Sequence, residues 1–152
     1  MPADYLGTTI FMHAASLALP AAAVLCAIAA ALHFACLGWG APGYRLLGAG
    51  EKVVAAVAAG RRQPHVWAVA VGCMLLVWAA YALAGAGVLA PLPLTRPALF
   101  LIAGVLLCRA LAFPLLRPMF PGNSLRFWLV SSFAVGVLGA LFLAGALQMG
   151  PL

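Results

Sequence analysis

The sequence predicts an all-α integral membrane protein, a bundle of four transmembrane helices. Three observations lead there. Of 152 residues, 67% are hydrophobic and 7% charged; the apolar residues fall in four long blocks; and Pro and Gly gather between the blocks. Soluble domains are about 45–50% apolar and about 25% charged. Eight Lys and Arg with two acids cannot cover a water-facing surface. A soluble globule, a disordered tail, a secreted disulfide scaffold and a nucleic-acid-binding module are therefore excluded.

A bilayer span takes roughly 20 apolar residues, and in hydrocarbon each backbone N–H and C=O must be satisfied within its own segment. The blocks at 8–37, 66–88, 98–116 and 127–147 are long and unpatterned, so they read as helices and not as barrel strands. Gly38, Gly40, Pro42 and Gly43 close the first block. Pro91, Pro93 and Pro97 separate the second from the third, and Pro118, Pro121 and Gly122 the third from the fourth. Pro20, inside the first block, predicts a kink or the point where a tilted helix enters the bilayer. Ala-x-Ala patterns near Ala27 to Ala31 suit signal-peptide cleavage. A signal peptide also wants a basic n-region, and the only charge before Arg45 is Asp4, so the block is expected to be retained.

Short loops rich in Lys and Arg stay in the cytoplasm. Arg45, Lys52, Arg61 and Arg62 lie in the first loop, Arg117 and Arg126 in the third, and Arg96 alone in the second. The bias predicts cytoplasmic first and third loops with both termini outside. It also accounts for the net charge of +6 without a nucleic-acid partner, and such charge attracts anionic headgroups. The first loop, 38–65, is the largest extramembrane piece. Over 44–59 the spacing of Leu46, Leu47, Val53, Val54 and Val57 among Arg45, Glu51 and Lys52 predicts a short helix lying in the interface. A Gly/Ala linker is the alternative. Trp39, Trp67, Phe127 and Trp128 fall where an aromatic belt anchors span ends.

Membrane helices associate through close packing of small residues. Ser132, Gly136, Ala140 and Ala144 form a ridge at four-residue spacing in the last span, and Ala23, Ala27, Ala31 and Ala35 one in the first. These are the expected contact faces between helices, or a homodimer face.

An ionisable residue at membrane depth is a functional candidate by default. Arg109 sits seven residues before Leu116, about 10 Å from the cytoplasmic end of its span. Two readings follow. Its stem snorkels to the headgroups, or it points inward toward Glu51 or a bound anion, with His33 completing a polar pocket. His33 and Cys36 form His-x-x-Cys, and Cys73 and Cys108 share their depth. No paired Cys-x-x-Cys or His-x-x-His supports a zinc, copper or haem site, so no metal and no cofactor is expected. His13 and Tyr81 share the outer half and are expected to hydrogen-bond, at roughly 0.6 kcal/mol. Hydrolase, phosphate-loop and dinucleotide motifs are absent, and two acids cannot support carboxylate-pair chemistry in one protomer.

His33 before Gly38-Trp39-Gly40, then Glu51, the run Trp78 to Gly87, Leu92-Pro93-Leu94, Arg109, and Phe127 to Ser132 opening the last span form an order over most of the chain. That order resembles a group of small, uncharacterised four-span bacterial inner-membrane proteins. The resemblance implies the fold and a bacterial inner-membrane location, and nothing catalytic. It singles out His33, Glu51, Tyr81 and Arg109 as a polar pocket. The leading expectation is a protein that acts by binding or assembly, an accessory subunit or protective partner. Its partners would be membrane lipid and a membrane protein or a second copy. The alternatives are a small oligomeric transporter or channel with an Arg/His-lined path, and a haem- or quinone-linked redox subunit.

Overall fold

Apolar runs interrupted by Pro and Gly give helices joined by tight breaks. The structure, a computed structural model, describes residues 17–119 and 123–149. Among them every regular element is helical. The elements are α1 (Ala18–Trp39), α2 (Ala41–Leu46), α3 (Glu51–Ala58), α4 (Gln63–Gly85), α5 (Thr95–Leu111), α6 (Phe113–Leu116), a 3-10 turn (Arg117–Met119) and α7 (Leu125–Gln148). Residues 8–16 of the expected first span, with His13, lie outside the described residues, as do Pro121 and Gly122.

Three helices, α1, α4 and α7, are long and apolar enough to cross a membrane, and α5 with α6 and the 3-10 turn makes a fourth if that bent pair is one span. The pair bends by 60°, which corrects the straight span expected over 98–116. Pro114 is the cause. It offers no N–H to the carbonyl of Ala110, and its ring collides with that turn, so the helix stops at Leu111 and restarts in a new direction. Pro20, by contrast, sits in the first turn of α1, where its missing N–H leaves no bond unmade. Leu94 closes the turn before α5 in the left-handed region at φ 56°. Thr95 Oγ1 donates to Leu92 O at 2.6 Å beside it. Ser124 caps α7 by accepting from the Phe127 N–H at 3.1 Å.

Helix α1 lies chiefly along α4 and α5 along α7, while α1 and α7 join the two pairs. Only 28% of the most apolar window of α1, α4 and α7 is buried within the protein. Leu101, Val130 and Phe133 point outward. Apolar surface on that scale suits a hydrocarbon solvent.

The seam between the helices differs from the expected ridges. The buried positions are Leu19, Ala22, Ala23, Cys26 and Ala30 on α1, Leu75, Ala79 and Ala82 on α4, Leu99, Ile102, Ala103 and Leu106 on α5, and Leu138, Phe142 and Ala146 on α7. On α7 these positions themselves repeat every four residues, two residues out of step with the expected ridge, and on α1 Ala22, Cys26 and Ala30 repeat every four residues one position before it. Of the expected ridges, Ser132 and Ala23 are buried and Gly136 faces Ala110, but Ala140, Ala27 and Ala31 lie on the exposed side. The closest approaches belong to other glycines. A Cβ at Gly139 would lie 3.0 Å from Leu107 Cγ, one at Gly85 2.9 Å from both Leu19 and Leu99, and one at Gly145 would collide with Leu19. Gly145→Leu should therefore cost about 1–3 kcal/mol through overpacking, whereas Ala140→Leu should leave the melting temperature in detergent unchanged. Equal losses would place the seam elsewhere.

Candidate functional site

The connection between α1 and α4 is a folded cap. Helix α2 doubles back on the end of α1, with Gly43 against Trp39 and Cys36. Gly48 and Gly50 have φ of 72° and 82°, values that favour glycine, and they divide the single helix expected over 44–59 into α2 and α3. The division lets both short helices turn their apolar sides inward instead of lying flat. Tyr44 and Val54 are buried with Cys36 and Ala68, and Leu47, Val53 and Val57 pack around them.

Two bonds anchor the cap. Tyr44 Oη and His65 Nδ1 are hydrogen-bonded at 2.9 Å, with the rings edge to face and 5.5 Å apart. Asn123 Nδ2 donates to Gly48 O at 2.9 Å, and the Phe127 ring fills the space beside Gly48. The first and third connections thus meet at one end of the bundle, bringing together the ends that carry Arg45, Lys52, Arg61, Arg62, Arg117 and Arg126. Burial raises the Tyr44 phenol above its ordinary value of 10.0, and negative charge on Cys36 adds to the effect.

Beneath the cap lies a cavity of about 910 Å³. Its polar lining is His33 on α1, Lys52 on α3, Arg61 before α4 and Gln63 at its start. Its apolar lining includes Leu47, Val53, Ala56, Ala68, Val71 and Trp67. His33 Nδ1 donates to Ala29 O at 2.7 Å, which leaves Nε2 of the neutral ring as an acceptor. No acid lines the cavity. Glu51, the single acid among the described residues, pairs with Arg45 at 3.6 Å. Both of those side chains are more than half exposed, so the pair contributes little to stability. Among the described residues neither Lys52 nor Arg61, both exposed, pairs with an acid.

The four residues expected to share one polar pocket are held by separate partners. Only His33 reaches the cavity. Glu51 turns to Arg45. Tyr81 donates from its hydroxyl to Pro93 O at 3.4 Å. Arg109, half-buried, donates to Ser132 Oγ at 3.3 Å, and its guanidinium lies 5.2 Å from the centre of the Trp128 ring. Helix α5 presents Arg109 to α7, so neither Glu51 nor His33 becomes its counterpart. No three His, Cys, Asp or Glu side chains gather as metal ligands among the described residues.

Tyr44 and Gln63 were not singled out in the sequence, and Lys52, Arg61 and Trp67 read there as topology charges and an anchor. One available signal was the Gly-x-Gly at Gly48 and Gly50 inside an amphipathic stretch, which marks a reversal and not a linker.

Tyr44→Phe should lower stability by about 0.5–1.5 kcal/mol through loss of the bond to His65. The folded state favours the neutral phenol. Its contribution is therefore whole below the unfolded value near 10.0 and is lost as pH rises through the raised folded value. Thermal melts on either side of that pH should show the gap between wild type and Tyr44→Phe narrowing in alkali.

Comparison with known proteins returns no matching family model, curated relative or solved structure.

Proposed function

We propose that the protein is a four-span integral protein of a bacterial inner membrane, with both termini outside, and that it acts by binding. The bent pair of α5 and α6 serves as the third span, and the cap lies on the cytoplasmic face. The protein is an accessory subunit whose working part is the chamber beneath that cap. Supporting the orientation, the six cations of the first and third connections lie toward one end of the bundle and Arg96 starts α5 at the other.

The observation that carries the binding reading is the chamber itself. A connection needed only to join two spans has no reason to bury Tyr44 and Val54, bond to α4 through His65 and roof a space of about 910 Å³. Small-molecule sites span about 300–1,000 Å³ and combine apolar walls with a few convergent polar groups. His33, Lys52, Arg61 and Gln63 are those groups here.

Native mass spectrometry of the chain in nanodiscs of native lipid should find one small ligand per protomer. Ala56→Phe, which puts a phenyl ring into the chamber, should release it. Identical spectra for the two proteins would overturn the binding reading. For the orientation, Arg62→Cys and Arg126→Cys in a background free of native cysteine should resist an impermeant maleimide on intact spheroplasts and react after lysis. Labelling before lysis would reverse the topology.

A further inference from the structure

We propose that the chamber is the site of an anionic phospholipid, with the phosphate between Lys52 and Arg61 and the start of an acyl chain along Trp67 and Val71. The inference rests on the binding reading above and names its ligand.

Charge comes first. Lys52 and Arg61 both line the cavity, and the single acid among the described residues is held by Arg45 outside it. Two cations facing a partly apolar space call for an anion. Phosphate suits them, since a guanidinium binds its oxygens in a fork and an ammonium adds a mobile point charge. His33 Nε2, left over from the bond to Ala29, faces the same need for a polar partner and matches a headgroup hydroxyl.

The apolar lining decides what carries the phosphate. A small polar phosphate ester would leave the half-buried Val53 and Val71 facing water. An acyl chain covers them. Trp67 supplies the route: it lines the chamber and is also 65% exposed on the outer face of α4. The cavity is thus continuous with the surface that lipid covers. The chamber admits a headgroup and the first part of a chain, the remainder staying in the bilayer. Its position at the basic end of the helices matches the depth of lipid phosphate.

The test uses the full chain in nanodiscs of phosphatidylcholine doped with phosphatidylglycerol, read by native mass spectrometry. One phosphatidylglycerol per chain should be retained in preference to phosphatidylcholine. Lys52→Gln with Arg61→Gln should weaken retention roughly 30-fold, about fivefold for each cation removed. Lys52→Arg with Arg61→Lys should preserve it. Arg117→Gln with Arg126→Gln removes the same charge outside the chamber and should leave it within about twofold, since surface potential alone would respond to both pairs alike. Equal losses in the two neutralised pairs, or equal retention of phosphatidylcholine, would overturn the assignment. Displacement by glycerol 3-phosphate as effective as by phosphatidylglycerol would overturn the lipid source and make the ligand a free phosphate ester. A different ligand released by Ala56→Phe would refute the phospholipid while sparing the binding reading; no ligand released would refute the binding reading itself.

Discussion

Helix backbones drawn close at Gly72, Gly85, Gly139 and Gly145 are the constraint on which the rest depends. Lipid tails are as apolar as leucine, so burying leucine between helices gains little in a bilayer, and adhesion comes from dispersion over well-fitted surfaces. The neighbours at these glycines are large: Phe34, Leu19, Leu99, Leu106 and Leu107. Each glycine on one helix receives a bulky side chain from another. The helices pack as two close pairs, α1 with α4 and α5 with α7.

That division shapes the polar groups. Arg109 belongs to the pair of α5 and α7, where Ser132 and the Trp128 ring take its charge. His33 belongs to the pair of α1 and α4 and lines the chamber. Equal depth along the membrane normal is not proximity, because a bundle has a circumference as well as a length. The cap adds a second layer of order. It converts the ends of α1 and α4 into a roofed space and ties that space to α7 through Asn123 and Phe127.

Much of the architecture was readable in order along the chain. The ends of the apolar blocks that fall among the described residues agree with α1, α4 and α7 to within a few residues, because hydropathy and Pro/Gly punctuation are local properties. The bend at Pro114 was available from the same rule that placed the other breaks, but the apolar run on both sides concealed it. The four-residue ridges meet the seam only in part: Ser132 and Ala23 are buried, but the buried ladders are Leu138, Phe142 and Ala146 on α7 and Ala22, Cys26 and Ala30 on α1, because the packed face includes large side chains that a search for small residues passes over. Of the site, His33 was identified and Lys52 and Arg61 were noted only for their charge. Tyr44, Gln63 and the lining role of Trp67 came from the folding of the cap, a turn in three dimensions that no spacing along 38–65 specifies.

By itself the sequence determined the helical class, the apolar blocks, their breaks and the uneven distribution of cations, since each of these depends on residues adjacent in the chain. Tertiary structure alone decided which helices pair, which glycines face a neighbour, that Glu51 meets Arg45 while Lys52 faces a cavity, and that Arg109 turns to Ser132. The reason is rotational. Sequence spacing sets the angle of a side chain about its own helix axis, but the direction of the neighbouring helix from that axis emerges only when all the helices are packed together.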